Sequence, residues 1–313
     1  MRDVQEIKPS SISHIIGQAH VVEQVKVGLD AAHQDAKKFE HSLMVGPPGC
    51  GKTSTAQIIA AEMAVDFTEV LGQSLTSIAD LNSILLTASD RSILFIDEAA
   101  LLDKTLQVSL YLALDQKRVM LQGNTKGSAP MSVPISDFTL LMATTDEYEL
   151  LQPLRDRMRL TLRFDFYSTD ELIQILKHRL HSLNWSVDPV ILKMIAERSR
   201  GTPRLALRLA QASYRVARSE GAKVIELSHF QKATFLEQLD SKGCGATEQK
   251  YIQILADGPM RLNVIASRLG LPTQTVSQVI EPYLIRSGLV MKDDQGRRQL
   301  TGSGREGLVS TGN

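Results

Sequence analysis

Gly46-Pro47-Pro48-Gly49-Cys50-Gly51-Lys52-Thr53 is the stretch of this chain richest in chemistry. Its spacing, G-x-x-x-x-G-K-T, is that of a phosphate-binding loop. The glycines let the backbone curl until successive N–H groups point at phosphate oxygens. Lys52 brings a positive charge to β- and γ-phosphates, and the Thr53 hydroxyl is suited to ligate Mg²⁺. Gly49, Gly51, Lys52, Thr53 and Ser54 are the candidate nucleotide contacts.

A second group follows downstream. Ser92-Ile93-Leu94-Phe95-Ile96-Asp97-Glu98 is an apolar run ending in two acids. A buried strand would deliver both carboxylates to its C-terminal edge, where ligands sit in open parallel sheets. Asp97 would hold Mg²⁺ through its water shell, and Glu98 would orient and polarise an attacking water. Acids decorating a helix N-terminus give the same pattern, and the phosphate loop upstream favours the first reading. Thr144-Thr145 ends another apolar run, where a hydroxyl either meets the γ-phosphate or caps the next segment. The close arginines of Pro153-Leu154-Arg155-Asp156-Arg157 either pair with surface acids or supply a cation across a subunit interface. Arg204, at a helix start after Gly201-Thr202-Pro203, opposes the helix dipole, which points to a role near the nucleotide.

The elements that must position these residues are α/β in the first half. Strands are expected at Leu43–Gly46, Asp66–Leu71, Ser92–Asp97 and Phe138–Thr144. Helices are expected at Val21–His33, Lys52–Met63, Ser77–Ser89 and Thr105–Asp115. Such alternation implies a parallel sheet with helices on its faces. Lys117–Asp137 breaks the pattern and reads as a hairpin or excursion. From Ser168 only helices are expected, in a small bundle: one from Ser168, then Asp188–Ser199, Pro203–Ser219 and Ser228–Leu239. Asp240–Gly245 reads as a linker. Three helices (Thr247–Leu255, Arg261–Leu269, Pro272–Ser287) and two short strands, Leu289–Lys292 and Arg298–Leu300, then follow winged-helix order. The expected division is a large domain over 1–167, a helical domain over 168–240, a winged helix over 241–301 and a structureless tail over 302–313.

With 313 residues the chain is long enough for about two or three domains. Hydrophobic residues make up 43% and charged ones 22%, the balance of a soluble globular protein. No apolar run reaches the roughly 18 residues of a membrane span, and Met1–Glu6 lacks the apolar core of a signal peptide. Cys50 and Cys244 have no metal-type partner in sequence, which fits a reducing cytoplasm. The net charge is zero. Ser241–Asn313 carries nine basic against six acidic residues, a mild excess that a solvated surface explains as well as nucleic acid does.

Together these residues resemble the AAA+ ATPases, and within them the RuvB family of bacterial Holliday-junction branch-migration motors. The resemblance runs nearly end to end: Ile16-Gly17-Gln18, Gly46–Thr53, Leu94–Glu98, Ala143-Thr144-Thr145, Pro153–Arg157, Phe166-Tyr167, Ser199–Arg204 and Glu281-Pro282-Tyr283-Leu284. It implies an ATP- and Mg²⁺-dependent DNA motor, a large AAA+ domain, a helical lid and a winged-helix domain. By resemblance, Ile7 and Lys8 contact the nucleotide, where the family usually has Leu-Arg. Thr145 matches the sensor-1 residue. Arg157 matches the arginine finger that reaches a neighbouring subunit's ATP, which implies a homo-oligomeric, hexameric ring. Tyr167 and Arg204 match residues that close the lid over the nucleotide, Arg204 as sensor 2. Lys292 and Arg297 match basic positions of the DNA-contacting wing. The implied partners are double-stranded or four-way-junction DNA, a junction-recognising RuvA-like protein and a junction resolvase, without a membrane. Three departures stand out. Ala99-Ala100-Leu101-Leu102 replaces the family's Ile-His-Arg-Leu. Cys50 and Ser54 stand where Leu and Thr are usual. The Lys117–Ser136 excursion, which corresponds to the family's RuvA-docking hairpin, differs substantially. A clamp-loader-like or protein-remodelling ATPase, and a nucleotide-dependent DNA-binding switch that does not translocate, remain the alternatives.

Overall fold

A computed structural model describes residues 9–121 and 131–309, with side chains through residue 306. It separates into two compact units: residues up to Ile175 with Thr202–Arg204, and Leu176–Gly201 with Leu205 onward.

The first unit is built on a five-stranded parallel sheet. Its strands are β1 (Ser42–Val45), β2 (Phe67–Leu71), β3 (Ile93–Asp97), β6 (Thr139–Thr144) and β7 (Leu160–Arg163), in the order β2-β3-β6-β1-β7. Between β3 and β6 in sequence, β4 (Arg118–Leu121) and β5 (Met131–Pro134) pair antiparallel as a separate ribbon. The expected excursion is thus a hairpin, and its Gln122–Pro130 portion lies outside the described residues. Strand β7 was not expected from sequence. It completes β1, pairing Ser42 with Leu160 through Val45 with Arg163.

β1, β3 and β6 are almost wholly buried and read as continuous apolar runs, as central parallel strands do. The surrounding helices are α1 (Ala19–Gln34), α2 (Lys52–Met63), α3 (Ile78–Thr87), α4 (Lys104–Gln116) and the short α5 (Gln152–Arg155). Local chemistry sets several starts. Ser77 and Asp80 form a reciprocal capping box at α3, and the Asp103 carboxylate accepts from Thr105 N at α4. α2 buries Thr55, Ala56, Ile58, Ile59 and Ala60.

Helix α6 (Thr169–Ser182) begins where expected, with Ser168 and Glu171 exchanging backbone and side-chain hydrogen bonds. In the second unit, α7 (Pro189–Arg198), α8 (Pro203–Ser219, whose Pro203 and Arg204 belong to the first unit) and α9 (Leu227–Leu236) contribute the helical part. It is not helical throughout: β8 (Ser186–Val187) pairs parallel with β9 (Val224–Ile225).

The winged part has α10 (Ala246–Ala256), α11 (Leu262–Leu269) and a third helix made of α12 (Thr273–Thr275), a π-helical turn Val276–Ile280 and α13 (Glu281–Arg286). The wing itself is β10 (Val290–Lys292) against β11 (Arg298–Leu300). Tyr251, Ile252, Leu255, Ile265, Val276 and Leu284 are among its core residues. The tail expected to lack structure instead forms α14 (Gly302–Val309). The Thr301 hydroxyl accepts from Gly304 N, capping its start. No helix among the described residues is long and apolar enough to cross a membrane.

Candidate nucleotide site

The loop from Gly46 to Gly51 leaves the C-terminal end of β1 and enters α2. Its start is tied on both sides: Gly46 N donates to Thr144 O, and Phe164 N donates to Val45 O. Gly46 has φ +153, and a Cβ there would stand 2.3 Å from the Phe164 carbonyl oxygen. Gly49, at φ +78, lies against Arg204, whose Cβ would be 2.9 Å from an added Cβ. Both positions therefore require glycine, for conformation and for space.

Lys52 opens α2 with only 8% of its surface exposed. Its Nζ donates to Gly46 O at 2.6 Å and Pro47 O at 2.9 Å. Among the described residues no carboxylate forms an ion pair with it. Burial pushes the ammonium pKa down, against the opposing charge of Asp97. A buried cation satisfied only by loop carbonyls is costly until an anion arrives.

The Thr53 hydroxyl donates to Asp97 Oδ2 at 2.9 Å. Asp97 Oδ1 accepts from Glu98 N at 2.9 Å, which fixes the carboxylate. Two hard oxygen donors from different elements thus converge beside the phosphate loop, a donor set that fits Mg²⁺ held partly through water. Glu98 is exposed at φ +52, turned out of the line of β3. Ser54 is half-buried in the first turn of α2.

At the end of β6 the two threonines separate. Thr144 is buried, and its hydroxyl donates to Asp146 O and accepts from Asp146 N, both at 3.0 Å. Capping belongs to Thr144, and Thr145 stands exposed next to it. The parallel register sets Val45 beside Thr144 and Ile96 beside Met142, so the loop, Asp97 and Thr145 share one sheet edge.

Tyr167 is buried, and its hydroxyl donates to Cys50 O at 3.3 Å. Burial drives its pKa well above the usual phenol value, so it stays a donor. Gln18 is named in sequence only as part of the Ile16-Gly17-Gln18 motif, and the structure gives it a role. Its Nε2 donates to Asp165 O at 2.7 Å and its Oε1 accepts from Asp165 N at 3.1 Å, clamping the segment that carries Tyr167. The sequence signal was the Gly17-Gln18 pair before α1, where Gln18 takes φ +53. Arg204 is exposed at the start of α8, beside Gly49. Cys50 is fully buried.

Arg157 is not brought to the loop. Its hydrogen bonds go to Asp115 on α4 and to Pro153 O. Arg155 lies over the Tyr148 ring, 5.4 Å from its centroid. In the second unit, Lys292 Nζ lies 3.4 Å from Glu281 Oε2, and Arg297 Nε donates to Asp293 Oδ2 at 2.8 Å. Both expected DNA contacts are thus paired with carboxylates. Ile7 and Lys8 lie outside the described residues.

Comparison with known proteins agrees along the length of the chain. Residues 7–164 match the profile of the Holliday junction DNA helicase RuvB P-loop domain. Residues 167–240 match the RuvB AAA lid domain, and 241–308 the RuvB C-terminal winged helix domain. The Holliday junction branch migration complex subunit RuvB of Kosmotoga olearia is 33% identical over 296 residues, 93% of this chain and 86% of that protein. Its counterpart in Anaplasma marginale is 34% identical over 311 residues, 97% and 93% of the two chains. Among solved structures, the Thermotoga maritima RuvB branch migration motor superposes with a TM-score of 0.83 at 31% identity, covering 96% of this chain and 98% of that one.

Proposed function

Since this chain belongs to the RuvB family of Holliday junction branch-migration proteins, we propose that it is an ATP hydrolase whose turnover drives branch migration of four-way-junction DNA in recombination and repair. The observation that carries the reading is Lys52: a buried ammonium held by carbonyls alone, one residue from the Thr53–Asp97 contact.

In this reading ATP is the substrate. The backbone of Gly46–Gly51 binds its phosphates, and Lys52 exchanges carbonyl partners for β- and γ-phosphate oxygens. Thr53 and Asp97 would hold Mg²⁺, which when bound neutralises charge on the phosphates. Glu98 orients the attacking water and accepts its proton, and Thr145 meets the γ-phosphate or that water. Tyr167, fixed by the Gln18 clamp, and Arg204, against Gly49, complete the surroundings of the loop. Arg157 acts in trans on the nucleotide of an adjoining copy, so the active species is a ring, which we take to be a hexamer. The helical segment 168–240 serves as the lid. The winged segment 241–301, extended by α14, contacts duplex DNA through Lys292 and Arg297. A RuvA-like protein docks on the β4–β5 hairpin, a resolvase acts on the same junction, and the setting is the cytoplasm. Here the chain is a DNA motor, with helicase activity in the branch-migrating sense.

The test is strand exchange on a synthetic four-way junction with ATP and Mg²⁺, with and without a RuvA-type partner, and with Lys52→Ala as control. ATP-dependent exchange lost in Lys52→Ala supports the motor. ATP-dependent DNA binding without exchange would mark a switch instead, and neither binding nor exchange would mark a protein remodeller.

A further inference from the structure

Arg157 is tethered at every level of its guanidinium. That group carries five N–H donors in a planar fork. Nε donates to Asp115 Oδ1 at 2.8 Å, Nη2 donates to Oδ2 of the same carboxylate, and Nη1 donates to the Pro153 carbonyl. The plane also lies over the Tyr111 ring, 4.8 Å from its centroid. Asp115 and Tyr111 are four residues apart on α4, so they share a face and grip one side chain together.

The carboxylate occupies the Nε/Nη2 edge. Among the described residues, no partner takes the two remaining donors, one on Nη1 and one on Nη2. Those two nitrogens form the outer end of the fork, the end suited to bond two oxygens of a phosphoryl group. An arginine on a flexible stem would have to be ordered during the chemical step. One already immobilised has that cost removed from the barrier.

We infer that Asp115 and Tyr111 are positioning residues for Arg157, presenting the outer end of its guanidinium to the nucleotide of an adjoining copy of this chain. The inference rests on the assignment of Arg157 as a cation acting in trans. It differs from the view of Asp115 as a lock that keeps the arginine away from its target, because the three bonds leave one N–H donor on each of Nη1 and Nη2.

Asp115→Asn tests it, beside Arg157→Ala, in the full chain. Asp115→Asn should lose about tenfold to a hundredfold in ATP turnover at saturating ATP, with the affinity for a fluorescent ATP analogue kept within about twofold of the parent. Mixing Asp115→Asn with Lys52→Ala copies should restore turnover, because each supplies what the other lacks at hybrid interfaces. Turnover of Asp115→Asn at or above the parent level, while Arg157→Ala collapses it, overturns the inference alone. Unchanged turnover in Arg157→Ala removes the assignment beneath it. Asp115 is a partly exposed side chain. Should its variant nonetheless fail to fold, Tyr111→Leu with the same mixing assay decides between the same outcomes.

Discussion

The Thr53 hydroxyl and the Asp97 carboxylate meet at 2.9 Å, joining the first turn of α2 to the end of β3. The bond fixes where two motifs, 44 residues apart in sequence, bring their oxygens together. It also stabilises the carboxylate in the orientation that leaves Oδ1 on the Glu98 amide.

Thr53→Val keeps the shape and removes the hydroxyl. ATP turnover should fall about 10- to 100-fold, with the Mg²⁺ concentration for half-maximal rate displaced upward. Hydrolysis measured across a Mg²⁺ titration decides it, and an unshifted midpoint would contradict the assignment of Thr53 to the metal.

Lys52→Met removes a buried ammonium that has no carboxylate partner among the described residues. The nucleotide-free protein should melt no lower than the parent, because a costly buried charge is gone. The rise in melting temperature on adding ATP should vanish, since ligand stabilisation follows binding. Melting with and without ATP checks both, and a retained ATP-induced rise sinks the role of Lys52.

Glu281 sits at 2% exposure, accepting from Arg298 Nε at 2.6 Å and from Tyr251 at 2.9 Å. Burial alone pushes its carboxyl pKa up, but the bonds from Arg298 and Tyr251 and the charges of Arg298 and Lys292 more than reverse this, leaving it below the usual glutamate value. A depressed carboxylate adds stability above its unfolded pKa of about 4.3. That contribution is lost as pH falls through the folded value. Glu281→Gln should therefore cost about 3–5 kcal/mol near pH 7, and the gap from the parent should close in acid. Denaturant unfolding at several pH values measures it; a gap independent of pH would show that the charge is not responsible.

Cys50 lies inside the phosphate loop, a position that by sequence invites thiol-sensitive turnover. The structure buries it completely. Inactivation by a thiol reagent should therefore be slow, limited by opening of the loop. Fast modification of Cys50, followed by mass spectrometry, would overturn this.

The phosphate loop and the Asp97-Glu98 pair were legible because their chemistry depends on local backbone and on apolar runs that announce buried strands. Thr145 was legible as part of a pair, but only the buried bonds of Thr144 separate the two hydroxyls. Leu160–Arg163 was missed although Leu160-Thr161-Leu162-Arg163-Phe164 alternates apolar and polar residues as a strand does; the run is short and follows the arginine pair, and its pairing with β1 makes it a strand. Gly302–Val309 was missed because its Gly and Ser content argues against a helix. Packing overrides composition there: a Cβ on Gly304 would come within 2.2 Å of Leu289 O, so only glycine lets the helix approach. The Gln18–Asp165 clamp and the Arg157–Asp115 pair span 147 and 42 residues, so the partner of neither Gln18 nor Arg157 can be read from its neighbours in sequence.

In the proposed DNA contact, the carboxylates beside Lys292 and Arg297 make engagement an anion exchange. A phosphate reaching Lys292 must displace Glu281, and one reaching Arg297 must displace Asp293. Glu281 keeps Arg298 and Tyr251, whereas Asp293 loses its cation and recruits one from solution, offsetting one shed by the duplex, so affinity should decline less steeply with added salt than two unpaired cations would dictate. Asp293→Asn, which leaves Arg297 without its resident competitor, should tighten binding and steepen that decline.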